Sequence, residues 1–229
     1  MKALLVISTE QAKKLIAVAI AKRLENTTKR VYMSYGSTNQ LILDELGIKV
    51  DKYYNGFIAG NELCSNKDKP PIIILNNDDS FFQVKHDDII IKGANALSYV
   101  NGEYKASVAV GSHEGGTYLN VVMKASCVGA DVLIPVSHEK LVPSLYNGVY
   151  TQDSFDISMG SPISLFEYQY GEVFTEIDAF KELYDLDAHI YIKGGINNEK
   201  TYITFVVDGE ENSIIEAKKY ILNGGDIDE

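Results

Sequence analysis

Short apolar runs with no polar interruption, set between helix-like segments, constrain this chain more than any other feature. Ile72–Leu75, Ile89–Ile91 and Val132–Val136 show none of the polar–apolar alternation of a strand with one wet face. Uninterrupted runs of this kind belong to strands covered on both faces, and alternation with helices makes the sheet mostly parallel. The helical segments are periodic. Thr9 to Leu24 repeats through Leu15, Ile16, Ala19, Ile20 and Leu24, with Thr9 as its N-cap, and Gln40–Leu46 and Thr117–Val128 follow the same rule. Strands are expected at residues 3–7, Val31–Tyr35 and Ser107–Val110, so the opening reads β-α-β-α.

The character changes near Asp156-Ile-Ser-Met-Gly-Ser-Pro162, a stretch suited to a domain boundary. Beyond it lie a strand (Ile163–Tyr168), a helix (Glu176–Tyr184), strands at Ala188–Lys193 and Tyr202–Val207, and a helix (Ser213–Leu222). That order resembles a split βαβ unit. Its usual fourth strand is missing, because Asn223–Glu229 reads as an acidic tail. The expected fold class is α/β: a Rossmann-like, mostly parallel sheet with helices on both faces over residues 1–158, plus a smaller ferredoxin-like α+β domain over residues 159–229. Between the early helices, Tyr53–Lys69 is turn-rich, Pro70-Pro71 ends it, and Asn76–Ser80 forms a turn or cap cluster.

Composition narrows the partners. Of 229 residues, 45% are hydrophobic and 23% charged, and the formal net charge is -11. An acidic chain carries no basic footprint for nucleic acid or anionic lipid, so neither a nucleic acid nor a membrane is expected as partner. No window approaches the ~20 apolar residues of a membrane span. The apolar run at the amino terminus is too short for a signal peptide. Cys64, read as a loop residue, and Cys127, read as a small core residue of a helix, lack zinc or redox spacing and fit a reducing, cytoplasmic setting. Self-association into a homo-oligomer is left open.

Four turns at strand ends carry polar side chains. Gly36-Ser37-Thr38-Asn39 follows the second strand; Ser37 and Thr38 are able to cap the next helix, and their amides are equally able to hold a phosphate or carboxylate. Lys92-Gly93-Ala94-Asn95 follows Ile89–Ile91 and leads into a helix-like Ala94–Leu97. A lysine there is costly to bury without a partner, which makes Lys92 an anion ligand or a snorkelling side chain. Gly111-Ser-His113-Glu114-Gly115-Gly116-Thr117 joins flexible backbone, two titratable groups and a helix start. Val136-Ser-His138-Glu-Lys140 supplies His138 and Lys140 as further ligand contacts. No Walker or dinucleotide fingerprint, no HExxH, no nucleophile elbow and no spaced His/Cys set occurs, so no cofactor and no metal are expected.

Gly93-Ala-Asn-Ala-Leu97, Asn101-Gly102 and Gly115-Gly-Thr117, with Gly36-Ser-Thr38, resemble the turns of the sugar-phosphate isomerase and CoA-transferase superfamily, which includes ribose phosphate isomerase A, glucosamine phosphate deaminase and the initiation factor 2B subunits. The resemblance covers residues 30–140. Pro135 to Pro143 is similar to the corresponding stretch of a set of uncharacterised prokaryotic proteins. The resemblance implies a small phosphorylated or carboxylated metabolite as ligand. Ser37, Thr38, Lys92 and the amides of Gly115 to Thr117 would hold its anion, and Glu114 would be base or nucleophile with His113 or Lys92 assisting. The chain departs from the pattern where it matters for chemistry: Asn95 stands in the place of a catalytic aspartate and cannot act as a base. The expectations are therefore an isomerase-like enzyme, a non-catalytic metabolite sensor, or a CoA transferase with Glu114 as nucleophile.

Overall fold

The structure is a computed structural model that describes residues 1–49, 57–59, 61–64, 72–75, 83–143, 152–195 and 201–224. Strand β1 (Lys2–Ser8) runs directly into helix α1 (Thr9–Leu24). Ser8 is the N-cap, one residue earlier than expected. Its hydroxyl accepts from the Gln11 amide while the Gln11 side chain accepts from the Ser8 N–H, a reciprocal capping box. Ala12, Leu15 and Ile16 to Ala21 are all buried, the pattern of a helix enclosed by core rather than laid on a surface.

The chain continues through β2 (Val31–Ser34), α2 (Ser37–Glu45), β3 (Phe57–Ala59), β4 (Glu62–Cys64), β5 (Ile72–Leu75), β6 (Ile89–Ile91), β7 (Ala96–Val100) and β8 (Glu103–Val110). A π-helical turn over Tyr118–Val122 runs into α3 (Met123–Val128), followed by β9 (Asp131–Pro135), β10 (Ser164–Glu167) and β11 (Glu172–Phe174). Last come α4 (Glu176–Tyr184), β12 (Asp187–Gly194), β13 (Tyr202–Asp208) and α5 (Glu211–Leu222).

The protein is mixed α/β. Its principal sheet has the order β11-β9-β6-β2-β5, in which β11, β9, β6 and β2 are parallel and β5 is antiparallel to β2. One face of this sheet, with Met33, Ile91, Leu133 and Phe174, shares a core with α1, α2, α4 and α5 and with the inner face of the antiparallel sheet β1-β13-β12. Helix α1 is the centre of that core. The other face, with Tyr32, Ile90, Val132 and Ile134, packs on the π-turn, on α3 and on the antiparallel sheet β10-β8-β7. Coverage on both faces is why the parallel strands read as unbroken apolar runs.

Several expectations are corrected. Ala94–Leu97 does not start a helix: Ala96 opens β7, because Asn101 (φ 53°) and Gly102 (φ 87°) make the two-residue turn that pairs β7 with β8. Cys64 lies in strand β4, within the stretch read as turns. Cys127 is exposed, since the buried side of this helical segment is taken by Val121, Val122 and Ala125. The sheets also run across residue 158. β1 pairs with β13, while β10 and β11, from beyond that point, pair with β8 and β9. The expected turn at Asn76–Ser80 and the tail after Gly224 lie outside the described residues.

Candidate functional site

The parallel strands β2, β6, β9 and β11 end at Ser34, Ile91, Pro135 and Phe174, so the loops after them share one edge of the sheet. Backbone groups released at strand ends must be satisfied by those loops or by a ligand. Three of the four turns singled out from sequence, those beginning at Gly36, Lys92 and Val136, meet here.

Gly36 is the N-cap of α2 and makes no side-chain cap bond, so Ser37 and Thr38 are the first helical residues rather than caps. Ser37 is exposed and lines an open cleft of about 800 Å³ with Val6, Lys13, Lys14, Tyr202 and Leu222. Thr38 and Asn39 are buried. The Asn39 Nδ2 donates to the Ser34 carbonyl at 2.7 Å and to the Ile91 carbonyl at 3.3 Å, which ties the end of β2 to that of β6. Its Oδ1 is buried with no hydrogen-bond partner among the described residues.

Lys92 is the next residue along β6. No ion pair or hydrogen bond holds its ammonium among the described residues, and burial draws its pKa down to about 8. The strand turns away at once. Gly93 passes so close to β9 that a Cβ there would stand 3.3 Å from the Pro135 carbonyl, and the Tyr168 hydroxyl donates to the Gly93 carbonyl at 3.0 Å. The Asn95 Oδ1 accepts from the Ala109 amide at 2.9 Å, fixing the start of β7 against β8. Lys140 reaches across from the neighbouring loop to donate to the Ala94 carbonyl at 2.6 Å, and its burial lowers its pKa.

His138 lies deeper. It is fully buried, and its Nδ1 is 2.5 Å from Glu176 Oε2, itself fully buried at the first position of α4. The Glu176 carboxylate also accepts from the His138 amide at 3.1 Å. Burial alone would raise the pKa of Glu176; the His138 hydrogen bond and charge outweigh it, so the carboxyl is held below the usual range. His138 Nε2 has no hydrogen-bond partner among the described residues. Around the ring stand Tyr104 of β8 and Phe205 of β13, with centroids 5.0 and 6.2 Å away. Lys193 of β12 donates to the carbonyls of His138 and Glu139 at 2.9 and 2.6 Å, and Glu139 pairs with Lys13 of α1 at 2.9 Å. The turn around His138 is thus where all three larger sheets touch.

The Gly111–Thr117 turn follows β8, outside the parallel sheet. Gly115 (φ 76°) and Gly116 (φ 51°) adopt left-handed backbone, and a Cβ on Gly115 would overlap the Leu119 side chain. Its polar groups serve the turn: the Glu114 amide donates to Ser112 Oγ at 3.2 Å, and the Asn120 amide group donates to the Gly116 carbonyl at 2.9 Å. Thr117 precedes the π-turn and makes no side-chain cap bond. His113 and Glu114 are exposed, and among the described residues no hydrogen bond or ion pair joins them to Lys92 or Asn39. Glu176 and Tyr168 were not singled out from sequence. Thr175-x-x-Asp178, which forms the capping box of α4, is the sequence signal able to place Glu176 at a helix start. No family model matches this chain, and no curated protein and no solved structure matches it either.

Proposed function

We propose that the chain binds a small phosphorylated or carboxylated metabolite at the carboxyl-terminal edge of its parallel sheet, with Lys92 as the cation that meets it. The observation that carries this reading is the ammonium of Lys92 at the end of a central strand, without a partner among the described residues. A desolvated charge with no counter-ion is a standing cost, which an anionic ligand removes on binding. The Oδ1 of Asn39, one strand over, is an acceptor without a donor among the described residues and suits a ligand hydroxyl. A hydroxylated anion such as a sugar phosphate satisfies both groups, in keeping with the resemblance of the turns.

Binding without turnover is the form these loops support best. Asn95 is occupied in holding β7 to β8, and Glu114 and His113 are exposed, with no hydrogen bond or ion pair to Lys92 among the described residues. The isomerase-like and CoA-transferase readings both need Glu114. A hydroxylamine-sensitive adduct on Glu114 after incubation with an acyl-CoA would favour the second of them. The finer reading of the fold belongs to the same proposal. The parallel strands and flanking helices support a Rossmann-like unit. The order β1-β13-β12, with α1 after β1 and α5 after β13, supports a ferredoxin-like unit whose first strand comes from the amino terminus.

Thermal unfolding in the presence of inorganic phosphate, ribose 5-phosphate and acetyl-CoA tests the site. A ligand at 100-fold its Kd stabilises by about 2.7 kcal/mol. The stabilisation is expected with the wild type and absent with Lys92→Met. An unchanged response in Lys92→Met would move the ligand elsewhere and end this reading.

A further inference from the structure

Strand β1 has a neighbour on one side only. It pairs along its full length with β13, Lys2 opposite Asp208 through Ser8 opposite Tyr202, and no strand among the described residues lies along its other edge. In antiparallel pairing alternate residues point their N–H and C=O groups away from the partner, so this edge presents an unmade ladder. Protein edges are normally blunted by proline, a bulge, a central lysine or a covering segment. Here Ala3-Leu-Leu-Val-Ile7 contains no proline, glycine or charge, and no register shift breaks its pairing. The sheet's bulge is on the opposite edge, in β12 between Ile190 and Ile192. Beside the open backbone the side chains alternate. Leu5 and Ile7 point into the core, while Leu4 and Val6 face outward and are 59% and 53% exposed.

We infer that a second copy of this chain pairs its own β1 with this edge, antiparallel about a two-fold axis at Leu5, to make one continuous six-stranded sheet. The strand is complementary to itself. With Leu5 opposite Leu5, Leu4 faces Val6 and Ala3 faces Ile7, so every outward side chain meets an outward one and every core-facing side chain a core-facing one. Lys2 of each copy comes beside Ser8 of the other, next to the first turn of α1. A two-fold interface of this kind closes on itself and uses up both open edges. The net charge of -11 on each copy opposes the approach. Salt screens that repulsion beyond about 8 Å at physiological strength, while leaving the short-range ladder intact. The inference is independent of the anion site.

Sedimentation velocity over a range of protein concentrations, at low and high salt, reads the outcome. A discrete dimer is expected, more populated at high salt, and Leu4→Lys with Val6→Lys together is expected to give a folded monomer by circular dichroism. The register is read separately. With Cys64→Ser and Cys127→Ser as background, Leu4→Cys with Val6→Cys is expected to form a disulfide-linked dimer on oxidation, whereas Tyr191→Cys, on the same face of β12, is not. A monomer under all conditions, as when the chain's own residues beyond Gly224 cover the edge, overturns the inference. So does a dimer that survives the two lysines, or open-ended association without a discrete dimer.

Discussion

A lysine with its pKa near 8 is a group the fold strains to keep charged at neutral pH. In the unfolded chain Lys92 titrates as an ordinary lysine, near 10.4. Between the two values the unfolded state binds more protons than the folded one, so this residue's contribution to stability improves as pH rises from about 8 to about 10.4, and its full cost is present below 8. Lys92→Met should therefore raise the melting temperature of the ligand-free protein at pH 7, by the equivalent of at most about 3 kcal/mol. The gain should shrink at pH 10, and calorimetry at the two pH values measures it. A variant less stable than wild type at pH 7 would mean that Lys92 has a charged partner in solution. Asn39 and Lys140 show the contrasting case of polar side chains that look like ligands in sequence but spend donors on neighbouring carbonyls.

At the scale of elements, local signals decided what could be read in advance. α1 and α4 fall on the expected residues because periodicity and capping lie within the helix itself. β7 was misread because Gly-Ala-Asn-Ala has no decisive period, although Asn101-Gly102 a few residues on is the strongest short hairpin signal a sequence carries. Both of those residues sit at positive φ. Gly102→Ala should cost about 1 kcal/mol, visible as a lower urea midpoint with unchanged m-value, because only glycine holds that backbone without strain. The site was half legible. The turns after β2, β6 and β9 could be placed on one edge from strand order alone. The Gly111 turn could not be separated from them, because β8 reads as one more apolar strand while its pairing with β7 and β10 is decided by hairpin geometry and distant residues. The Glu176 partner of His138 is 38 positions away, and no local pattern announces it.

For the whole molecule the turn at His138 sets how the layers hold together. Glu176 has its carboxyl pKa depressed in the folded state, so its contribution to stability is present above the unfolded value, about 4.3, and is lost as pH falls through the lower folded one. Acid should thus loosen the junction of the sheets. Glu176→Gln should cost about 3–5 kcal/mol at neutral pH, the usual result of stripping one partner from a buried pair. It should also flatten the acid limb of the melting-temperature profile, and an unaltered acid limb would assign that limb to other carboxylates.

The pairing of β1 with β13 has one more consequence, for the chain as it is made. At about 5–20 residues per second, roughly 10–40 s pass between the emergence of the first strand from a ribosome and that of its partner. For that interval α1, apolar on every side from Leu15 to Ala21, has no finished compartment to enter. The segment carrying β1 and α1 is made well before the strand that completes its sheet, which makes the nascent chain, rather than the finished protein, the form most in need of a chaperone.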